Sequence, residues 1–119
     1  MLGHTTHSRH PSEFTIAPVG AIEKLMKKLG WGVNDVDLFE INEAFAVVTL
    51  MVMDDLGLPH NKVNVFGGAC AQGHPIGSTG SRIIATLIHA LRTKGGKRGI
   101  ASLCIGGGEA TAVAVELID

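Results

Sequence analysis

Eight of the sixteen glycines fall in two clusters, Gly67, Gly68, Gly73, Gly77 and Gly80 in one and Gly106, Gly107 and Gly108 in the other, and each cluster lies between apolar segments. Glycine permits positive φ and close backbone approach, so such clusters mark loops built around a ligand or another stretch of chain. Function is expected at those two loops. At 119 residues the chain is long enough to bury about two thirds of its unfolded surface in one modest core, so a single domain over 1–119 is expected.

The intervening segments read as alternating strands and helices. A short first strand is placed within Thr5–Thr15. From Pro18 a helix carries Ile22, Leu25, Met26 and Leu29 at i, i+3, i+4 and i+7, with Glu23, Lys24, Lys27 and Lys28 opposite, and stops at Gly30. The branched and aromatic residues of Val36–Ile41 predict a buried strand. Asn42 is a possible N-cap for a second helix over 43–56, apolar nearly all round and ended by Gly57 and Pro59. Val63–Phe66 reads as a third short strand, 67–80 as the glycine loop, and 76–92 as a third helix. Residues 99–105 and 110–118 finish as two strands of a hairpin across Gly106-Gly107-Gly108.

The expected layout is therefore α/β, in the order β-α-β-α-β-α-β-β: a mixed five-stranded sheet with helices on both faces, parallel strands joined by right-handed crossovers, and a final antiparallel partner. A helix without a polar face must be covered on two sides. Little of this chain is left to cover the outer side of the 76–92 helix, so a further layer from another polypeptide, or from a missing half, is expected there.

Several function classes are excluded. With 45% hydrophobic and 18% charged residues the chain cannot be disordered, and its charge is low enough that some apolar surface should meet a partner. Ten basic against eleven acidic residues give no field for nucleic acid or anionic lipid. The longest apolar run, Ala44–Met53 interrupted by Thr49, is about half of the ~20 residues a membrane span needs. The N-terminus has no secretory pattern, so a cytoplasmic location is expected. The two cysteines, Cys70 and Cys104, form no CxxC and are expected to be reduced. His4, His7 and His10 do not make a metal site, because in an extended segment His7 faces away from the other two. Gly68-x4-Gly73 is followed by His-Pro rather than the Lys-Ser/Thr of a phosphate loop.

Three positions remain that could carry chemistry. His74 lies between a strand end and a helix start, where ligands bind in open α/β sheets and where a base at neutral pH is well placed. Cys104 ends a strand ahead of three glycines whose N–H groups can converge on a developing oxyanion. Asn42 ends another strand. If the layout holds, Asn42, His74 and Cys104 meet at one edge of the sheet.

These elements, Asn42-Glu43-Ala44-Phe45-Ala46, Gly73-His74-Pro75-Ile76-Gly77-x-x-Gly80 and Cys104-Ile105-Gly106-Gly107-Gly108, resemble in order and separation the C-terminal half of the thiolases, the acetyl-CoA acetyltransferase and 3-ketoacyl-CoA thiolase family. The resemblance covers nearly the whole chain. It implies that His74 activates a nucleophilic cysteine and helps bind a thioester oxygen, and that Cys104 exchanges the α-proton of acetyl-CoA. It further implies that the Gly106 N–H serves an oxyanion hole, that Asn42 holds a water completing a second one, and that Phe45 lines the pantetheine channel. Coenzyme A thioesters are then the substrates, no cofactor or metal is needed, and the family's homo-oligomers, dimer or tetramer, are the expected assembly. The family's nucleophilic cysteine belongs to an N-terminal half that this sequence does not contain. Cys70 and Gln72 depart from the family pattern in the histidine loop. The chain is accordingly expected to be a fragment, catalytically silent alone, or else a non-catalytic module that acts by association.

Overall fold

The apolar stripe beginning at Ile22 becomes helix α1 (Ala17–Leu29), which buries Ala21, Ile22, Leu25 and Met26 and leaves Glu23, Lys24, Lys27 and Lys28 in solvent. In this computed structural model, which describes residues 1–118, strand β1 (Gly3–Ser8) and a 3-10 segment (Pro11–Ile16) precede it. Strand β2 (Leu38–Ile41), helix α2 (Ala46–Leu56), the single turn α3 (Ala69–Gln72), helix α4 (Thr79–Lys94) and the hairpin strands β3 (Arg98–Ile105) and β4 (Glu109–Glu116) follow.

The strands form one mixed sheet in the order β1-β4-β3-β2, so the α/β expectation holds with four strands among the described residues instead of five. Among the four strands only β2 and β3 pair in parallel, with Leu38 opposite Gly99 and Ile41 opposite Ser102. The first strand does not join the parallel set; it pairs antiparallel with β4 at the far edge. Segment 63–66 makes only isolated bridges, Phe39 to Val63 and Val65 to Gly67. The reason lies at Asn64, which adopts a φ of 48° that no strand allows. Its carboxamide takes over the ladder instead, accepting from the Ile41 N–H and donating to the Ile41 carbonyl, each at 2.8 Å.

Helices do cover both faces. Residues of α1 and α2 pack with Phe39, Ile41, Ile100 and the β4 alanines, whereas Ile83, Leu87, Ala90 and Leu91 of α4 pack with Leu38, Ala101 and Val115 on the other side. Alternate residues of β2, β3 and β4 serve the two cores, as the pleat requires. The uncovered apolar surface belongs to α2, not to α4. Ile84 and Ile88 of α4 are partly buried, and its outer side carries Ser81, Ala85, His89 and Arg92. In contrast Val47 is 45% and Leu50 59% exposed. No helix of the described residues is long and apolar enough to cross a membrane.

Because β2 and β3 run parallel, their carboxyl ends share one edge of the sheet. Asn42 follows β2 directly, its N–H donating to the Ser102 carbonyl at 2.9 Å, and Cys104 lies two residues further along β3. The loop before α4 returns to that same edge.

Candidate functional site

At this edge lies a cleft of about 420 Å³ lined by His74, Cys104 and Gly106 together with Phe45, Phe14 and Ile76. Its walls are mostly apolar, and Phe14 and Phe45 meet edge to face with ring centroids 6.1 Å apart. Phe45, at the mouth, is 61% exposed. The polar side chains of the cleft are few, His74, Thr79 and Cys104, the usual character of a small-molecule site.

His74 is oriented by Thr79, the first residue of α4. The Thr79 hydroxyl donates to the Pro75 carbonyl at 3.0 Å, and with its one proton so committed it accepts from His74 Nδ1–H at 2.7 Å. That contact leaves Nε2 without a proton and available as a base. Thr79 is only 1% exposed, so water does not compete for its hydroxyl.

Asn42 also approaches the imidazole, its Nδ2 standing 3.5 Å from both ring nitrogens, at the limit of hydrogen-bond reach. It does not cap α2, whose N-cap is Phe45; residues 43–45 remain outside the helix. Asn42 is instead 1% exposed and sits behind His74 rather than on the cleft wall. Its Oδ1 accepts from Arg82 Nη2 at 3.2 Å. The adjoining Glu43 turns the other way, accepting from the Cys70 backbone N–H at 2.9 Å, and so ties the end of β2 to the histidine loop.

Cys104 is nearly buried at the end of β3. Burial pushes its thiol up from the ordinary value, so it rests protonated at neutral pH. A thiol of this kind suits giving and receiving a proton better than standing attack on a carbonyl. Beyond it the chain turns through Gly106-Gly107-Gly108. Gly108 has a φ of 93°, and a Cβ there would meet the Arg9 carbonyl oxygen, so this turn admits only glycine. The Gly108 N–H is held by the Ile105 carbonyl at 3.1 Å, but the N–H groups of Gly106 and Gly107 find no acceptor among the described residues. The Gly106 amide thus stands free at the cleft wall. Cys70 lies outside the cleft and is exposed, and no cluster of metal-ligating side chains occurs among the described residues.

Of the residues expected from the sequence, His74, Cys104, Gly106 and Phe45 line this cleft, whereas Asn42, expected in the same pocket, stands behind His74; Thr79, Arg82 and Phe14 were not foreseen. Thr79 follows His74 by five residues in the same motif, a spacing that offers a hydroxyl to the ring. Arg82, one helical turn into α4, gave no signal, because a lone arginine near the start of a helix reads as solvated.

The family model described as "Thiolase, C-terminal domain" matches residues 1–117. A cytosolic acetyl-CoA acetyltransferase of Mus musculus is 52% identical over 106 residues, which are 89% of this chain and 27% of that protein. An acetyl-CoA acetyltransferase of Chromobacterium violaceum is 49% identical over 114 residues, covering 96% of this chain and 29% of its own length. Among solved structures, the human mitochondrial 3-ketoacyl-CoA thiolase superposes with a TM-score of 0.93 at 48% identity, over 97% of this chain and 29% of that one. A thiolase of Ascaris suum in complex with coenzyme A gives 0.94 at 41% identity, over 98% of this chain and 30% of its own. The chain thus spans less than a third of the length of these relatives.

Proposed function

The chain belongs to the thiolase family, as its C-terminal domain, and from that membership we propose that it supplies one side of the active site of an acyl-CoA acetyltransferase, the side that handles protons and oxyanions. The observation that carries this reading is the cleft itself, whose mostly apolar lining includes an oriented imidazole, a protonated thiol and Gly106, whose N–H has no acceptor among the described residues.

In this reading the nucleophile is a cysteine of an N-terminal half. His74 Nε2 takes the proton of that thiol, and the resulting thiolate attacks the thioester carbonyl of an acyl-CoA. The carbonyl oxygen gains charge and is held by the Gly106 N–H; the thiolate of coenzyme A then leaves with the proton of the Cys104 thiol, which becomes a thiolate, while His74 keeps the proton it took. In synthesis, Cys104 acts as a thiolate and removes the α-proton of acetyl-CoA. The enolate oxygen is held by the protonated His74 Nε2 and by a water on Asn42 Nδ2; the carbanion attacks the acyl-enzyme to form the new carbon–carbon bond, and the cysteine released as a thiolate takes back its proton from His74. Cleavage reverses these steps, and Cys104 then protonates the leaving acetyl-CoA carbanion. Phe45 lines the channel for the pantetheine arm, a role consistent with an exposed aromatic ring at the cleft mouth. No metal or cofactor enters the scheme. The name of the mouse relative supports a cytosolic setting.

The 119-residue chain alone then has no thiolase activity. Mixing it with a separately expressed N-terminal half should restore thiolytic cleavage of acetoacetyl-CoA, and His74→Ala should abolish what is restored. Activity that survives His74→Ala refutes the assignment.

A second reading rests on one observation, the exposed row Phe45, Val47 and Leu50. It makes the domain a non-catalytic module that associates through α2, whether with the other half or with itself, as the family's homo-oligomers would require. Sedimentation as a monomer at all concentrations, with no binding of an apolar dye, refutes it.

A further inference from the structure

We propose that Arg82, clamped by Gln72, is a positioning residue that fixes which end of the Asn42 carboxamide faces His74, an inference that rests on the reading of Asn42 and His74 as the pair that holds the thioester oxygen.

A primary amide is nearly symmetric in shape, and a half turn about its last bond exchanges an acceptor for a donor at the same place. At Asn42 the two ends have opposite consequences. Nδ2 toward His74 offers a hydrogen bond to the ring or to a water held beside it, whereas Oδ1 in that place offers none. Asn42 is 1% exposed, so bulk water does not decide between the two orientations. A neighbouring protein group must.

The group in place is the Arg82 guanidinium. It carries only donors, so the Asn42 atom 3.2 Å from its Nη2 has to be the oxygen, and the NH2 end is thereby turned to 3.5 Å from the His74 ring. The other arm of the guanidinium, Nη1, donates to Gln72 Oε1 at 3.0 Å. Gln72 is held in turn, because its Nε2 donates to the Phe66 carbonyl at 3.4 Å and so leaves its oxygen toward Arg82. The guanidinium therefore spans the end of β2 and the end of α3, fixed by one neutral amide oxygen on each. Its Nε is buried and finds no partner among the described residues, so the group has been placed for its two Nη contacts and not for complete satisfaction of its own donors.

Gln72 is one of the two positions in the histidine loop where this sequence departs from the pattern it resembles. It is exposed, and the requirement for a side-chain oxygen there comes from Arg82 alone. The resulting relay runs from the Phe66 carbonyl through Gln72, Arg82 and Asn42 to His74, and on through Thr79 to the Pro75 carbonyl. The Phe66 carbonyl fixes the Gln72 amide, the all-donor guanidinium fixes the Asn42 amide, and the Pro75 carbonyl fixes the Thr79 hydroxyl that receives His74.

The test is nuclear magnetic resonance of the 119-residue chain, with nuclear Overhauser effects read between the Asn42 NH2 protons and the His74 ring. In the parent chain these effects are present. A hydrogen bond from a charged donor biases the two amide orientations roughly tenfold or more. In Arg82→Met that bias is lost, the orientations become comparably populated, and the effects fall by about half while the dispersed spectrum of the fold remains. Gln72→Leu, an exposed change that leaves the core untouched, reduces them by a smaller amount. If Arg82→Met does not fold, Gln72→Leu and the parent spectrum decide. Contacts from the Asn42 NH2 protons to the Arg82 guanidinium instead of the His74 ring, or effects unchanged in the variants that fold, overturn the proposal. No thioester and no second half are involved, so failure here is distinct from failure to restore cleavage.

Discussion

Replacing Glu40 by Gln should stabilise the domain above neutral pH and do little below pH 5, because the folded chain holds this carboxyl in a place that disfavours its charge. Glu40 lies on β2, 2% exposed. Burial raises its pKa, the nearby Arg82 charge opposes the rise, and Glu43 adds to it, so that the group moves from the ordinary 4.5 to about 7. The sign follows from proton binding. Between those two values the folded state keeps the proton that the unfolded state has lost, so the stability tied to this group is full below pH 4.5 and is lost as pH rises through about 7. At 1.36 kcal/mol per pH unit the ionised form costs about 3 kcal/mol at pH 8, and under about 1 kcal/mol at pH 5. Glutamine has the same shape and no charge. Urea unfolding of parent and Glu40→Gln chains at both pH values measures the difference, and each pair of curves cancels the other titrating groups. The expected result is a midpoint gain at pH 8 that shrinks by more than half at pH 5. An equal gain at the two values, or a loss at pH 8, would refute the reasoning, since either would mean that the carboxylate is compensated in the fold.

Thr79→Val keeps the volume of the side chain but removes the acceptor for His74 Nδ1–H and the donor to the Pro75 carbonyl. It should cost about 1–3 kcal/mol in urea unfolding, and nitrogen chemical shifts of the His74 ring should show both tautomers in place of one; a single tautomer would show that Thr79 does not select it. Gly99→Ala places a Cβ within 2.7 Å of the Leu87 side chain on the sheet face that α4 covers. Thermal unfolding should register about 1–3 kcal/mol of lost stability, and the companion change Leu87→Ala should recover part of it when combined with Gly99→Ala, because the two sites touch.

Much of the fold was legible because each long element has a strong period of its own. The stripe from Ile22 to Leu29 and its stop at Gly30 require no tertiary information, and the hairpin follows from two apolar runs separated by three glycines. Segment 63–66 was misread because Val63, Val65 and Phe66 have strand character while Asn64 does not betray that it will turn to φ 48° and pair through its side chain. The pairing of β1 with β4 was equally hidden, since which edge a first strand joins is settled by the packing of α1 across the sheet rather than by any local signal. The apolar helix without a partner was expected at 76–92 and occurs at α2, where Val47 and Leu50 remain exposed. Composition alone cannot tell which of two apolar helices the sheet leaves more open.

The site divides along the same line. Motif order and the rule that parallel strands present their carboxyl ends together were enough to bring His74, Cys104 and Gly106 to one cleft. What they could not supply is orientation: that Thr79 leaves Nε2 of His74 bare, that Arg82 turns the Asn42 amide, and that Glu40 is pressed into a buried position on β2. Residue type and spacing along a chain fix which groups arrive at an edge of a sheet. Apart from Thr79, which is five residues from His74, the groups that orient these donors are 23, 32 or 40 positions away in sequence and become adjacent only when the two cores close.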